Sequence, residues 1–231
     1  MFTNREEAGE RLADRLSEYR GDPSAVILAL PRGGVAVGYR LSLLLGVPLD
    51  VLITRKIGAP GNPEYALGAV CETGAVFWNR EALASFSLNQ QDLDRAVGIG
   101  KEEIARRVQL YRQGRPFRSL TDRTVILLDD GLATGATFLA SAEAIRQLRP
   151  RAVIGAVPVG PPETIREVQR QVDKLVVLLT PTPFYAVGNF YADFDQMEDS
   201  DVLRYLKMAN EARAADSWSS ADTPSDEKHL T

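Results

Sequence analysis

Short, mostly apolar runs alternate along this chain with longer amphipathic stretches. The runs stand at Ala25–Leu30, Leu49–Ile53, Val125–Leu128, Ala152–Val159 and Leu175–Leu179. Runs of this length without polar alternation read as strands covered on both faces. Between them, apolar residues recur at helical spacing. Ala8, Leu12, Leu16 and Tyr19 line one face of a helix over residues 3–19, and Val37, Leu41, Leu44 and Leu45 line another that stops at Gly46. Phe138–Leu148, a segment opening on Pro161-Pro162-Glu163, and a stretch marked by Val202, Leu206 and Ala209 read as further helices. Gln90–Arg112 reads as a long polar helix with a break at Gly98-Ile99-Gly100, and Leu67–Cys71 with Ala75–Trp78 as a hairpin around Glu-Thr-Gly. Lys56–Pro63, rich in Gly and Pro, reads as a loop, and Phe184–Asp195 as irregular and aromatic. Strands alternating with helices predict an α/β fold with a doubly wound, mainly parallel sheet. Residues 1–214 are expected to form one domain, and 215–231, poor in apolar residues, a disordered tail.

In such sheets ligands bind beyond the carboxyl ends of the strands. Three unusual segments each follow a predicted strand: Pro31-Arg32-Gly33-Gly34, Arg55-Lys56, and Asp129-Asp130-Gly131-Leu132-Ala133-Thr134-Gly135-Ala136-Thr137. Each alone has an ordinary reading: a strand-to-helix turn, a solvated strand end, a helix cap. Together they place two basic clusters, an acidic pair and a small-residue loop on one sheet edge. The loop's N–H groups, the Thr134 and Thr137 hydroxyls and the helix behind them suit a phosphate. Carboxylates repel phosphate, so Asp129 and Asp130 suit a vicinal diol. Arg32 and Lys56 suit a second anion, with Mg2+. The set describes a sugar carrying a phosphate and a further polyanionic group. A nucleoside triphosphate competes, but the chain has no G-x-x-x-x-G-K-[ST] loop and no Gly-x-Gly-x-x-Gly opening its first helix.

Composition narrows this further. The 231 residues carry a formal net charge of −4, which argues against nucleic acid as the default partner. The only cysteine, Cys71, cannot form an internal disulfide, which suits a reducing cytoplasm. The polar, acidic amino terminus does not read as a signal peptide, and no apolar run is long enough to cross a bilayer. His229, the only histidine, lies in the expected tail.

The stretch from Val125 to Thr137 resembles the phosphoribosyl-pyrophosphate (PRPP) motif of type I phosphoribosyltransferases: an apolar run, two acids, then a Gly/Ala/Thr loop. Pro31-Arg32-Gly33-Gly34 resembles the family's pyrophosphate loop, Arg55-Lys56 its mobile catalytic loop, and residues 184–194 the carboxy-terminal hood of purine salvage members. The resemblance runs from Ala25 to Phe194. It implies a hood at about 181–195 and leaves residues 79–120 as a helical insert. It implies a Mg2+-dependent enzyme transferring phosphoribose from PRPP to a nucleobase-like acceptor with release of pyrophosphate, commonly as a homodimer. PRPP would contact Arg32, Gly33, Gly34, Arg55, Lys56 and residues 129–137, with Lys56 and Arg32 as the catalytic cations. Phe184, Val187, Phe190 and Tyr191 would face a planar acceptor, and Asp129 with Asp193 would serve the metal. The family's pattern also carries a non-proline cis peptide where Pro31–Arg32 stands here. Two departures bear on the acceptor. Ala133 replaces the aspartate that can act as base in 6-oxopurine enzymes, and Val157-Pro158-Val159 lacks their lysine. A 6-oxopurine is therefore disfavoured. A PRPP-sensing regulator that binds RNA or DNA is the alternative, through the cluster Arg106, Arg107, Arg112, Arg115 and Arg118. A PRPP-synthetase-like reading would need an ATP site, and the sequence shows none.

Overall fold

The structure, a computed structural model, describes residues 1–219. Five strands form a parallel sheet: β1 (Ala25–Ala29), β2 (Leu49–Val51), β6 (Thr124–Leu128), β7 (Ala152–Val159) and β8 (Lys174–Leu179), in the order β2-β1-β6-β7-β8. The alternate side chains of the apolar runs enter two separate cores. Ile27, Ile126 and Ile154 face α1 (Arg5–Arg15) and α2 (Gly33–Leu45), whereas Val26, Val125 and Val153 face α5 (Ala136–Gln147) and α6 (Pro162–Gln169). That two-sided burial is why these strands carry no polar alternation. Asn4 caps α1, its side chain accepting from the Glu7 N–H at 2.9 Å. Gly46, at φ +66°, ends α2.

A second sheet is antiparallel and three-stranded: β3 (Thr54–Ala59), β4 (Asn62–Cys71) and β5 (Val76–Trp78). Residues 56–63, expected as a loop, belong instead to the hairpin β3–β4. Its Gly and Pro content hides an alternation in which Ile57 and Ala59 are buried and their neighbours Lys56 and Gly58 are only part-buried. The expected insert contributes α3 (Arg80–Ala84) and α4 (Gln90–Arg112). No break occurs at Gly98-Ile99-Gly100. A Cβ at Gly100 would lie 2.5 Å from Val70 Cγ1, so this glycine serves close packing of the helix on β4. The last helix, α7 (Asp199–Ser219), lies against α2 and β2. Residues 215–219, expected in a disordered tail, continue this helix, and 220–231 lie outside the described residues. No helix among the described residues is long and apolar enough to cross a membrane.

The strand order reverses at the β1/β6 boundary. The segment after β1 and the segment after β6 therefore leave the sheet side by side.

Candidate active site

Pro31-Arg32 follows β1 and leads directly into α2, through a cis peptide bond. The two glycines expected as a turn are the first residues of α2. They let the helix approach the paired acids. A Cβ on Gly33 would lie 1.8 Å from Asp130 Oδ2, and one on Gly34 would lie 3.1 Å from the Asp129 Cα. Motifs almost a hundred residues apart are thus in contact. Beyond β6, the loop 131–135 is braced from two sides. The Leu132 N–H donates to the Val159 carbonyl at 2.8 Å, and the buried Thr164 hydroxyl donates to the Ala133 carbonyl at 2.8 Å. Gly135 sits at φ +71° beside the Thr164 methyl, a conformation open to glycine. The chain then enters α5, whose first N–H groups have no intrahelical acceptor. Lys56, Asp129 and residues 131–138 line one cavity of about 200 Å³. Lys56 and the loop are thus brought together. Arg55 is exposed and is not among these lining residues.

The sequence reading missed Arg5. From the first turn of α1 its Nε donates to Asp130 Oδ2 at 2.8 Å, and its Nη1 donates to the Asp195 carbonyl at 2.9 Å. The guanidinium lies over the Phe194 ring, 3.8 Å from the centroid. A contact 125 residues apart has no local signal in the chain. Arg32 reaches Glu198 at 3.4 Å.

The segment 184–194 packs on the amino terminus. Phe184 stacks on Phe190 with centroids 5.4 Å apart, and a Cβ on Gly131 would lie 2.4 Å from Val187 Cγ1. Tyr191 is different. It is buried between Phe2 and Phe194, and its hydroxyl donates to the Asp130 carbonyl at 2.6 Å. Tyr191 therefore holds the acid pair from beneath rather than offering a face. Asp193 is exposed and lines a different cavity, with Asn4 and Arg5, from the one that contains Asp129.

Burial and the neighbouring Asp130 charge push the Asp129 carboxyl well above the usual carboxylate range. Asp130 is also raised by burial, against the pull of Arg5. An acid raised in the folded state holds a proton that the unfolded chain releases. Its contribution to stability therefore falls as pH rises from about 4 through the folded pKa. In ligand-free, metal-free protein, Asp129→Asn is expected to raise the melting temperature at pH 8, by about 2–4 °C for each kcal/mol of relieved repulsion. The gain should vanish near pH 4. Asp130→Asn should raise the melting temperature less, because relief of the buried charge is offset where Arg5, with a side chain only 12% exposed, loses its counter-ion. Thermal melts of both variants across that pH range check the order of the two gains.

The carboxylate pair fits a divalent cation. Mg2+ takes one or two carboxylates and completes its shell with water and substrate phosphate oxygens. Its charge would relieve the repulsion within the pair. Among the described residues no cluster of three or more His, Cys, Asp or Glu could hold a metal without such help.

The arginine cluster of α4 does not form a free basic face. Arg106 and Arg107 both pair with Glu103, whose carboxyl is pulled down to about 2, and Arg106 also meets Asp199. Arg112 is buried against Glu72 and Asp50. Arg115 and Arg118 remain exposed.

Acid pair, anion loop and cationic strand come together near the switch point of a doubly wound α/β fold. Comparison with known proteins gives the family: residues 2–193 match the phosphoribosyl transferase domain model, and the chain belongs to that family. It is 38% identical over 228 residues to "Putative phosphoribosyl transferase Rv0571c" of Mycobacterium tuberculosis. That match covers 97% of this chain and 51% of the relative, so the chain spans about half the length of the curated relatives it matches. The crystal structure of TT1426 from Thermus thermophilus is 40% identical, with a TM-score of 0.77 over 89% of this chain and 97% of that one. The chain thus belongs to the phosphoribosyltransferase family and has the α/β fold of its relatives.

Proposed function

We propose that this protein binds PRPP with Mg2+ and transfers its phosphoribosyl group to a planar, nitrogen-bearing acceptor, releasing pyrophosphate. The observation that carries this reading is the contact of the Gly33-Gly34 helix start with Asp129 and Asp130, beside a cavity that joins Lys56 to residues 131–138. One crevice then offers a seat for each part of PRPP. The 5-phosphate goes to the loop and the first turn of α5. The ribose hydroxyls donate to Asp129 and Asp130. The pyrophosphate lies toward Arg32, Gly33, Gly34 and Lys56. Mg2+, where bound, neutralises phosphate charge, and Asp129 is the protein carboxylate placed to serve it.

The residues of this chain act mainly by placement and charge. The acid pair favours the positive charge that develops on the ribose as its C1 bond to pyrophosphate lengthens. Lys56 and Arg32 favour the negative charge on the departing group. Ala133 provides no proton acceptor, so the acceptor must lose its proton to another group or carry a ready lone pair. Phe184, Val187 and Phe190 form the face assigned to the planar acceptor. The regulator reading loses its motive, since three of its five arginines are engaged in ion pairs.

Mg2+ with PRPP is expected to raise the melting temperature, by about 2.7 kcal/mol of stabilisation at a hundredfold excess over Kd. The double variant Asp129→Asn/Asp130→Asn should lose that rise. An unchanged rise in the double variant would show that PRPP sits elsewhere. Pyrophosphate release on addition of one member of a panel of purine, pyrimidine and pyridine bases would then name the acceptor class.

A further inference from the structure

The structure holds a second concentration of cationic side chains, behind β2 and away from the loop cavity. Arg112, the last residue of α4, has a side chain only 4% exposed. Its Nη atoms bind Glu72, and Nη2 also donates to the Val51 carbonyl at 2.6 Å. Its Nε is buried and has no hydrogen-bond partner, with Asp50 Oδ1 3.7 Å away, beyond hydrogen-bond reach. Buried guanidinium N–H groups are normally satisfied, so this one calls for an acceptor. Arg112 lines a cavity of about 270 Å³ together with Arg115, Arg118, Asp50, Leu206 and Asn210. Arg115 is anchored by its Nε to the Arg112 carbonyl at 3.2 Å, which leaves its terminal nitrogens for the cavity. Arg118 has no ion pair among the described residues. The lining therefore carries three guanidinium groups and one carboxylate, and with Arg112 already paired to Glu72 the uncompensated positive charge comes from Arg115 and Arg118, on a chain whose formal net charge is −4. A neighbouring cavity of about 390 Å³ shares Arg115, Leu206 and Asn210 and adds Tyr111 and Leu203.

We propose that this pocket is a second anion site, distinct from the PRPP crevice, that takes the phosphate of a small phosphate ester. The forked donors of Arg115 and Arg118 meet the phosphate oxygens, and Arg112 Nε supplies the buried donor. The ester's organic part extends into the adjoining cavity over Leu206 and Tyr111. The pocket shares no lining residue with the loop cavity, so the inference stands or falls independently of the PRPP reading.

Calorimetric titration of the full chain with inorganic phosphate and with 5′-AMP tests this. Arg115→Ala/Arg118→Ala, both exposed positions, should weaken binding of at least one probe by roughly tenfold or more. Asp50→Asn should strengthen the same event about threefold or more, because it removes the one like charge in the lining. Equal affinity for phosphate and 5′-AMP identifies the inorganic ion as sufficient, and tighter 5′-AMP identifies the ester. Binding unaffected by both sets of substitutions overturns the proposal. So does loss, in the arginine variant, of binding to a ten-nucleotide single-stranded RNA when neither small probe binds, since the arginines would then contact nucleic acid.

Discussion

Lys56→Ala is expected to slow pyrophosphate release from Mg2+-PRPP by about 10²–10³-fold while changing PRPP affinity only a few-fold. Lys56 lies on β3 and shares a cavity with Asp129 and the loop 131–138. In bound PRPP much of the phosphate charge already has partners in the loop and in Mg2+. As the bond to C1 breaks, the departing pyrophosphate gains charge at the oxygen it takes away. A lysine poised there acts on that increment, and its removal is felt in the rate more than in binding. Arg55 provides the internal comparison. It is the next residue on the same strand, is exposed, and projects to the opposite face, so Arg55→Ala should cost far less. Single-turnover pyrophosphate release at varied PRPP, first with water and then with an acceptor, separates the two effects. Equal losses in rate and affinity for Lys56→Ala would make it a ground-state contact only.

The parallel sheet was legible because its signal is local. Ala25–Ala29, Thr124–Leu128 and Ala152–Val159 are apolar throughout, and only a strand buried on both faces needs that. The loop after β6 was legible for a related reason: adjacent acids, glycines and threonines at a strand end have few structural uses. The hairpin β3–β4 was not, since Gly58, Pro60 and Gly61 read as punctuation although the strands are held by tertiary contacts. There, Ser141 of α5 donates to the Thr54 hydroxyl at 2.7 Å. The α4 glycines misled in the same way, because the space that Gly100 yields to Val70 cannot be seen in the chain. Charge misled most. Arg106, Arg107 and Arg112 look like a basic stripe in sequence, yet their partners Glu103, Asp199, Glu72 and Asp50 come from four places along the chain. Arg5 and Asp130, a contact that shapes the site itself, escaped notice for the same reason.

Arg112→Met is expected to destabilise the protein by about 3–5 kcal/mol, the usual cost of stripping one partner from a buried ion pair. At roughly 2–4 °C per kcal/mol in a domain of this size, its melting temperature should fall by about 10 °C or more. The guanidinium ties the end of α4 to the end of β2 and to Glu72, the first residue of the β4–β5 turn. It holds Glu72, whose other role is to accept the Ile53 N–H at 2.8 Å, and it caps the Val51 carbonyl. The residues so fixed immediately precede Thr54, Arg55 and Lys56. Removing Arg112 leaves the Glu72 carboxylate, 5% exposed, without its cation. Adding Glu72→Leu to Arg112→Met should therefore recover part of the loss, because no buried charge then stands alone. Recovery should remain incomplete, since the Ile53 N–H and Val51 carbonyl lose their side-chain partners at about 1–3 kcal/mol each. Urea melts of the two single variants and the double variant give the coupling, expected at about 1–3 kcal/mol in favour of the pair. Strict additivity would mean that Arg112 is held by the Val51 carbonyl and by the Phe117 ring, 4.8 Å beneath it, and that Glu72 contributes nothing to its placement.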